Sequence, residues 1–223
     1  MRYSFADVPG LVGPLFDLLD EVFPGLRAGA AGLKRLGASW EEISTPYVRF
    51  EDGRPVSHVG VIELPLVVAG APVMVSSVHA VATRPDRRRR GFYRELMHEV
   101  LEDREGRSET FVLSTENPEY YQPFGFRVVG EHQFEIERDG RPGTPSMRTL
   151  DLADGDDVAI LRRLLATRRP VSRVVGVVGG STVFLFNESR RKLRYLPDLD
   201  VVACFEHDDR TLALYDVVGP ALP

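Results

Sequence analysis

The chain has 223 residues, 43% of them apolar and 27% charged, with a single cysteine, Cys204, and a net charge of −5. That length suits one large or two small domains that bury a core without help from metals or cross-links, and one cysteine excludes an intrachain disulfide and fits a reducing compartment. No stretch approaches the ~20 apolar residues of a membrane span, and Asp17 and Asp20 interrupt the apolar residues near the start, against a signal-peptide pattern. The expectation is a soluble, cytoplasmic protein with no membrane partner.

Phe5 to Phe23 carries Leu11, Leu15, Leu18, Leu19 and Val22 at helical spacing, closed by Pro24-Gly25. Leu26 to Leu36 reads as a second short helix. Tyr47 to Phe50 reads as a strand, Asp52-Gly53 as a hairpin turn, Pro55 to Val68 as a long strand bent near Pro65, and Ala69-Gly70 as another turn. In the strand from Pro72 to Thr83, strict alternation puts Val73, Val75, Ser77, His79 and Val81 on one face. Arg89 to Arg104 is a helix with Phe92, Leu96, Val100 and Leu101 on one stripe. Thr110 to Ser114 is a short strand, Asn117 to Phe124 a short helix or turn, Arg127 to Glu137 a strand, and 139–143 a loop. Beyond residue 151, Asp154 caps a helix that runs to Thr167. Val174 to Phe186 is β-rich and broken at Gly179-Gly180, and Asp200 to Phe205 with Thr211 to Val218 forms a hairpin. The order implies an α+β fold with a mixed sheet, divided into units 1–150 and 151–223.

Charge is unevenly placed. Between Arg84 and Arg94 lie six arginines and one acid, Asp86, so this segment carries +5 and the remainder −10. A nucleic-acid binder needs a broad basic face, which argues against that partner. One compact polyanion suits the pattern better. The basic run sits where a strand ends and a helix opens. A helix start offers unpaired N–H groups and a partial positive charge, a ready site for a pyrophosphate. Arginines add charge and bidentate geometry, and Gly91 lets backbone approach closely. Neither a P-loop nor a dinucleotide fingerprint is present.

Val81 to Arg94 resembles motif A of the GNAT acetyltransferase superfamily, Arg/Gln-x-x-Gly-x-Gly/Ala. Arg88, Gly91 and Tyr93 fall on the patterned positions, and Tyr93 departs at the last, so its ring must turn away from a phosphate. By this resemblance Val81, Ala82 and Thr83 present strand backbone to a pantetheine arm. Arg89, Arg90, Gly91, Phe92, Tyr93 and Arg94 would surround the pyrophosphate of coenzyme A. Tyr120-Tyr121-Gln122-Pro123-Phe124-Gly125-Phe126 resembles motif B, with Tyr121 in register. The resemblance makes its hydroxyl the proton donor to the leaving thiolate, with Tyr120 as the fallback. Ala82-Thr83-Arg84-Pro85 together with Phe124-Gly125-Phe126 is most similar to the N-terminal domain of enhanced-intracellular-survival-type acetyltransferases. By the same comparison 151–223 would be a degenerate GNAT-like half.

The implied reaction is attack of a primary amine on acetyl-CoA as co-substrate, with a backbone N–H near Val81 holding the oxyanion. His79, read as sharing a face with Val81, is the candidate base. Glu63, His58, Glu116 and Asn117 are further candidates near the acceptor, and Glu116 and Asn117 also count among the cofactor-binding residues. The five histidines and Cys204 lack metal-ligand spacing, so no metal is expected. The acceptor is a small-molecule or protein amine, and a homo-oligomer is compatible with the sequence. The alternative is a non-catalytic coenzyme A-binding scaffold.

Overall fold

The computed structural model describes residues 3, 5, 8, 10–130, 135–137, 146–208 and 210–220. Helices α1 (Val12–Val22), α2 (Leu26–Lys34) and α3 (Trp40–Ile43) precede three long antiparallel strands, β1 (Ser44–Glu51), β2 (Arg54–Val68) and β3 (Ala71–Thr83). Both hairpin turns put two residues at positive φ: 49° and 74° at Asp52-Gly53, 49° and 83° at Ala69-Gly70. This is the turn geometry that matches strand twist. Helix α4 (Phe92–Arg104) then crosses over to β4 (Thr110–Val112), which lies parallel to β3.

Helices cover both faces of this sheet. On one face Phe92 of α4 is buried, and Leu96, Met97 and Val100 pack on Tyr47, Val59, Val61 and Val78. On the other, Leu15, Leu18 and Leu19 of α1 pack with Trp40, Val48 and Ala82. Removing such side chains from water is the main stabilising contribution, roughly 1.5–3 kcal/mol for each large one.

The second unit opens with β5 (Arg148–Thr149) and α5 (Gly155–Ala166), continues through β6 (Val175–Val177) and α6 (Ser181–Glu188), and ends in β7 (Leu193–Leu196), β8 (Val201–His207) and β9 (Leu212–Val218). Its antiparallel sheet runs β5-β7-β8-β9, whereas β6 joins the first sheet beside Leu66–Val68 of β2. Its core also takes in Leu33, Leu36 and Ala38 from the first unit.

Several boundaries differ from the sequence reading. The first helix starts at Val12, not Phe5, and the arginine-led helix starts at Phe92, because Arg89 and Gly91 have φ of 63° and 87°. Arg127–Gly130 and 135–137 form no strand, and 131–134 and the proposed loop 139–143 lie outside the described residues. Val174 to Phe186 splits into a three-residue strand and a helix, because left-handed Gly179 and Gly180 break the run. Helix α3 and strands β5 and β7 are too short to leave a periodic signal. Among the described residues no helix is long and apolar enough to cross a membrane.

The most consequential difference lies inside β3. His58 of β2 faces Ala82, yet Gly60 faces His79, so Val59 stands opposite both Ala80 and Val81. This is a β-bulge, with Ala80 in the left-handed region at φ 49°. A non-glycine residue there costs about 1–2 kcal/mol. The extra residue reverses the alternation: Val81 packs on the α4 side of the sheet with Val78, while His79 stacks on Trp40 on the α1 side. His79 and Val81 therefore do not share a face.

Helix α5 shows the expected cap. Asp154 accepts from the backbone N–H groups of Asp156 and Asp157 at 2.9 and 3.0 Å. Asp154→Ala should lower stability by about 1 kcal/mol, read as a lower urea midpoint at unchanged slope.

Candidate active site at the strand-to-helix turn

β4 pairs with β3 only from Val75 to Ser77. Beyond Val112 the two diverge, and among the described residues the edge of β3 from Val78 to Thr83 has no strand beside it on that side. The chain leaves β3 through buried Arg84, makes one 3-10 turn over Pro85–Arg87, and enters α4 through Gly91. The first intrahelical bond runs from Glu95 N–H to Gly91 C=O. The N–H groups of Phe92, Tyr93 and Arg94 thus have no intrahelical acceptor, and no side chain among the described residues caps them. Gly91 combines a φ of 87° with open space where a Cβ would stand. An anion can therefore approach this backbone, as at other helix starts.

The six arginines divide by function. Arg84 is structural: its Nε donates to Pro55 C=O at 2.9 Å and its guanidinium pairs with Glu21. Arg87 is held by Asp86 at 2.7 Å and Glu51 at 2.8 Å. Arg88 donates from Nε to Thr83 C=O at 3.2 Å, and Arg90 lies 3.7 Å from Glu51. Arg89 and Arg94 are exposed and make no ion pair among the described residues. They are the cations best placed to receive a diphosphate. Glu51, far from this run in sequence, gave no signal of its role there.

Tyr121 follows in the short turn after β4. Its ring meets Tyr93 and Phe126 edge-on, with centroids 6.0 and 5.9 Å away. Tyr93 turns off the helix start, as its place in the motif requires, packs on Phe124 and donates its hydroxyl to Tyr120 C=O at 3.0 Å. Burial pushes the pKa of both phenols up, and Tyr93 rises further beside Tyr121. Tyr121 therefore keeps its proton at neutral pH. Tyr120 is 60% exposed, and Glu116 and Asn117 are exposed in the loop between β4 and the tyrosines.

The other candidates are not brought to this place. Glu63 pairs with Arg104 at the far end of α4, roughly 20 Å along the helix axis. His79 and His58 lie side by side under α1 and α3. His79 Nε2 and Ser44 Oγ are 2.9 Å apart, and the imidazole stacks on Trp40 at 4.9 Å. His58 is fully buried, its Nδ1 2.8 Å from Ala80 C=O. Gly60 makes room for both: a Cβ there would stand 2.6 Å from His79 Nε2 and 3.0 Å from His58 Cε1. Burial pushes His58 down to about 4, and burial together with the neighbouring imidazole pushes His79 down to about 3. A group of pKa near 3 is a poor acceptor for the proton of an ammonium.

A model of the acetyltransferase (GNAT) domain matches residues 13–129, more than half of the sequence. The chain belongs to the GNAT acetyltransferase family. Its fold is similar to that of a protein of unknown function from Enterococcus faecalis V583 described as a probable N-acyltransferase. The identity is 16% and the TM-score 0.62, over 95% of this chain and 55% of that one. Eis1 from Mycobacterium abscessus is similar at 17% identity and a TM-score of 0.57, over 92% of this chain and 56% of that one. The chain thus spans a little over half the length of these two proteins. A search of curated proteins finds no match.

The GNAT acetyltransferase family generally uses acetyl-CoA as co-substrate. The donor set at the turn fits that molecule: uncapped N–H groups, a glycine without neighbours, and two arginines without acidic partners among the described residues. No group of three or more metal-ligating side chains comes together among the described residues. A groove of about 820 Å³ lies elsewhere, between α2, the start of α5 and the end of α6, lined in part by Leu33, Arg35, Asp154, Arg162 and Arg190. It shares no residue with the turn.

The buried imidazoles make stability depend on pH with a definite sign. Unfolded, both take a proton near pH 6.5; folded, neither does until about pH 4 or 3. The unfolded state binds more protons in between, so stability falls as pH drops below 6.5. At pH 5 the loss should be roughly 2 kcal/mol per imidazole. Urea midpoints measured from pH 7 to pH 5 check this, and a flat profile would contradict it.

Proposed function

We propose that the protein is an N-acetyltransferase that passes the acetyl group of acetyl-CoA to a primary amine by direct attack within a ternary complex. The observation that carries this reading is the helix start at Phe92–Arg94, which among the described residues is uncapped, is flanked by Arg89 and Arg94, and stands at the end of a strand whose neighbouring edge is free.

Acetyl-CoA supplies an activated thioester. The rest falls to this chain. Backbone N–H groups of Phe92, Tyr93 and Arg94, with the guanidinium groups of Arg89, Arg90 and Arg94, bind the diphosphate. The β3 segment Val81–Thr83 lies along the pantetheine arm, and a backbone N–H near Val81 donates to the carbonyl oxygen as negative charge develops there. Holding amine and thioester together lowers the entropic part of the barrier. Tyr121, kept protonated by burial, donates to the departing thiolate. His79 is not given the part of base, because its imidazole is buried against Trp40 with its pKa lowered. The amine loses its proton to solvent, which reaches the exposed loop Ser114–Asn117. The −10 charge outside the arginine run favours cationic acceptors. Cytoplasmic residence is part of the proposal, resting on the lone buried thiol Cys204.

Calorimetry with acetyl-CoA and thiol release over a panel of primary amines test this reading. Tyr121→Phe should lower kcat roughly 10²-fold with the KM for acetyl-CoA nearly unchanged. Undiminished turnover would remove the tyrosine from its role. Arg89→Ala with Arg94→Ala should weaken acetyl-CoA binding about tenfold or more and flatten its dependence on salt. Tight binding without turnover on any amine would favour a coenzyme A-binding scaffold instead.

A further inference from the structure

We propose that His58 is a positioning residue: its imidazole N–H holds the carbonyl of Ala80 and thereby keeps the bulge that sets the backbone of Ala80 and Val81 against the thioester. The purpose given to the bulge rests on the acetyltransferase reading. The clamp itself does not.

Opposite Val59, β3 offers two residues where β2 offers one. One strand cannot answer both sets of N–H and C=O groups, and a carbonyl left unanswered in a half-buried place is costly. Ala80 C=O is answered by a side chain instead, His58 Nδ1 at 2.8 Å. A carbonyl only accepts, so Nδ1 must carry the hydrogen. The imidazole is neutral, and its Nε2 is a bare acceptor. That nitrogen is fully buried and has no hydrogen-bond partner among the described residues. An imidazole fixed in this form, on the strand facing the bulge, makes one directional bond, and that bond lands on the strained residue.

Ala80 needs such support. Its φ of 49° lies where glycine is comfortable and alanine is not. The strain and the bond are of comparable size, so losing the bond can let the strand slip back toward regular alternation. A slip of one residue would carry Val81 from the α4 side of the sheet to the other. The space for the clamp is also built in, since a side chain at Gly60 would collide with the two imidazoles.

The test uses the full chain and four proteins: wild type, His58→Leu, His58→Asn and His58→Leu with Ala80→Gly. Asparagine places an amide N–H near the position of Nδ1, and glycine tolerates the left-handed conformation without support. In wild type, 15N NMR of the histidines should show His58 protonated at Nδ1 and bare at Nε2, and the 13C shifts of Ala80 should report a left-handed residue. In His58→Leu the Ala80 shifts should move to extended values. With acetyl-CoA and an active amine, His58→Leu should lose kcat tenfold or more, with the KM for acetyl-CoA changed less than threefold. His58→Asn and the double variant should recover most of that loss. A left-handed Ala80 in folded His58→Leu overturns the clamp, as does an Nε2–H tautomer in wild type. Failure of both rescues also overturns it. If wild type neither binds nor turns over acetyl-CoA, the acetyltransferase reading fails while the NMR result still decides the clamp.

Discussion

Opposite Val59, a strand that elsewhere keeps strict register fits two residues into the space of one. Everything N-terminal to that point on β3 is set by pairing with β2 and, briefly, with β4. Everything after it is rotated to the opposite face. The rotation sends Val81 toward α4, while His79, just before the bulge, faces α1; among the described residues β3 then reaches Arg84 with an unaccompanied edge on the side where β4 has ended. A regular strand would keep a continuous hydrophobic alternation and lose the gap. The bulge is therefore a constraint on backbone geometry, and the side chains of His58, His79 and Ser44, with the space left at Gly60, are arranged to accommodate it.

The second organising feature is how positive charge is allocated. A run of arginines invites the idea that all of them serve one ligand. Half of the run is instead spent on the protein itself: Arg84 ties the end of β3 to α1, Arg87 ties the turn to β1, and Arg88 reaches back to the carbonyl of Thr83. Fixing the turn in this way leaves Arg89 and Arg94 free of acidic neighbours among the described residues. Pre-organised donors lose less entropy on binding than mobile ones. Tyr93 extends the same economy, since one ring both clears the helix start and fixes the segment that carries Tyr121. The helix start and the placement of the phenol are thereby mechanically joined.

Much of this was legible in residue order. Turn signals at Asp52-Gly53 and Ala69-Gly70, the strand–arginine–glycine–helix sequence and the cap at Asp154 are local features. Local chemistry decides them, and the structure has each in place. The strand faces beyond Val78 were not legible, because a bulge is settled by what the partner strand presents and leaves no mark in a two-residue alternation. The same holds for His58, whose partner is a carbonyl 22 positions away, and for Glu51, whose role depends on the fold bringing β1 beside the arginine turn. In the second unit, short elements such as β6 and β7 carry too few residues for a period. The helix at Ser181–Glu188 is rich in β-branched and aromatic residues at its start, which pulled the sequence reading toward strand.

Strand β6 is drawn from the second unit but laid on the first sheet, where Val175–Val177 pairs with Leu66–Val68 of β2. A break in the polypeptide near residue 150 would strip that cover away. It would leave a bare row of amide and carbonyl groups on an apolar ribbon, the kind of edge that recruits strands from other molecules. The same cut would unroof Leu33 and Leu36 on α2. A shortened form holding only the family domain would therefore expose that strand edge and that apolar face together.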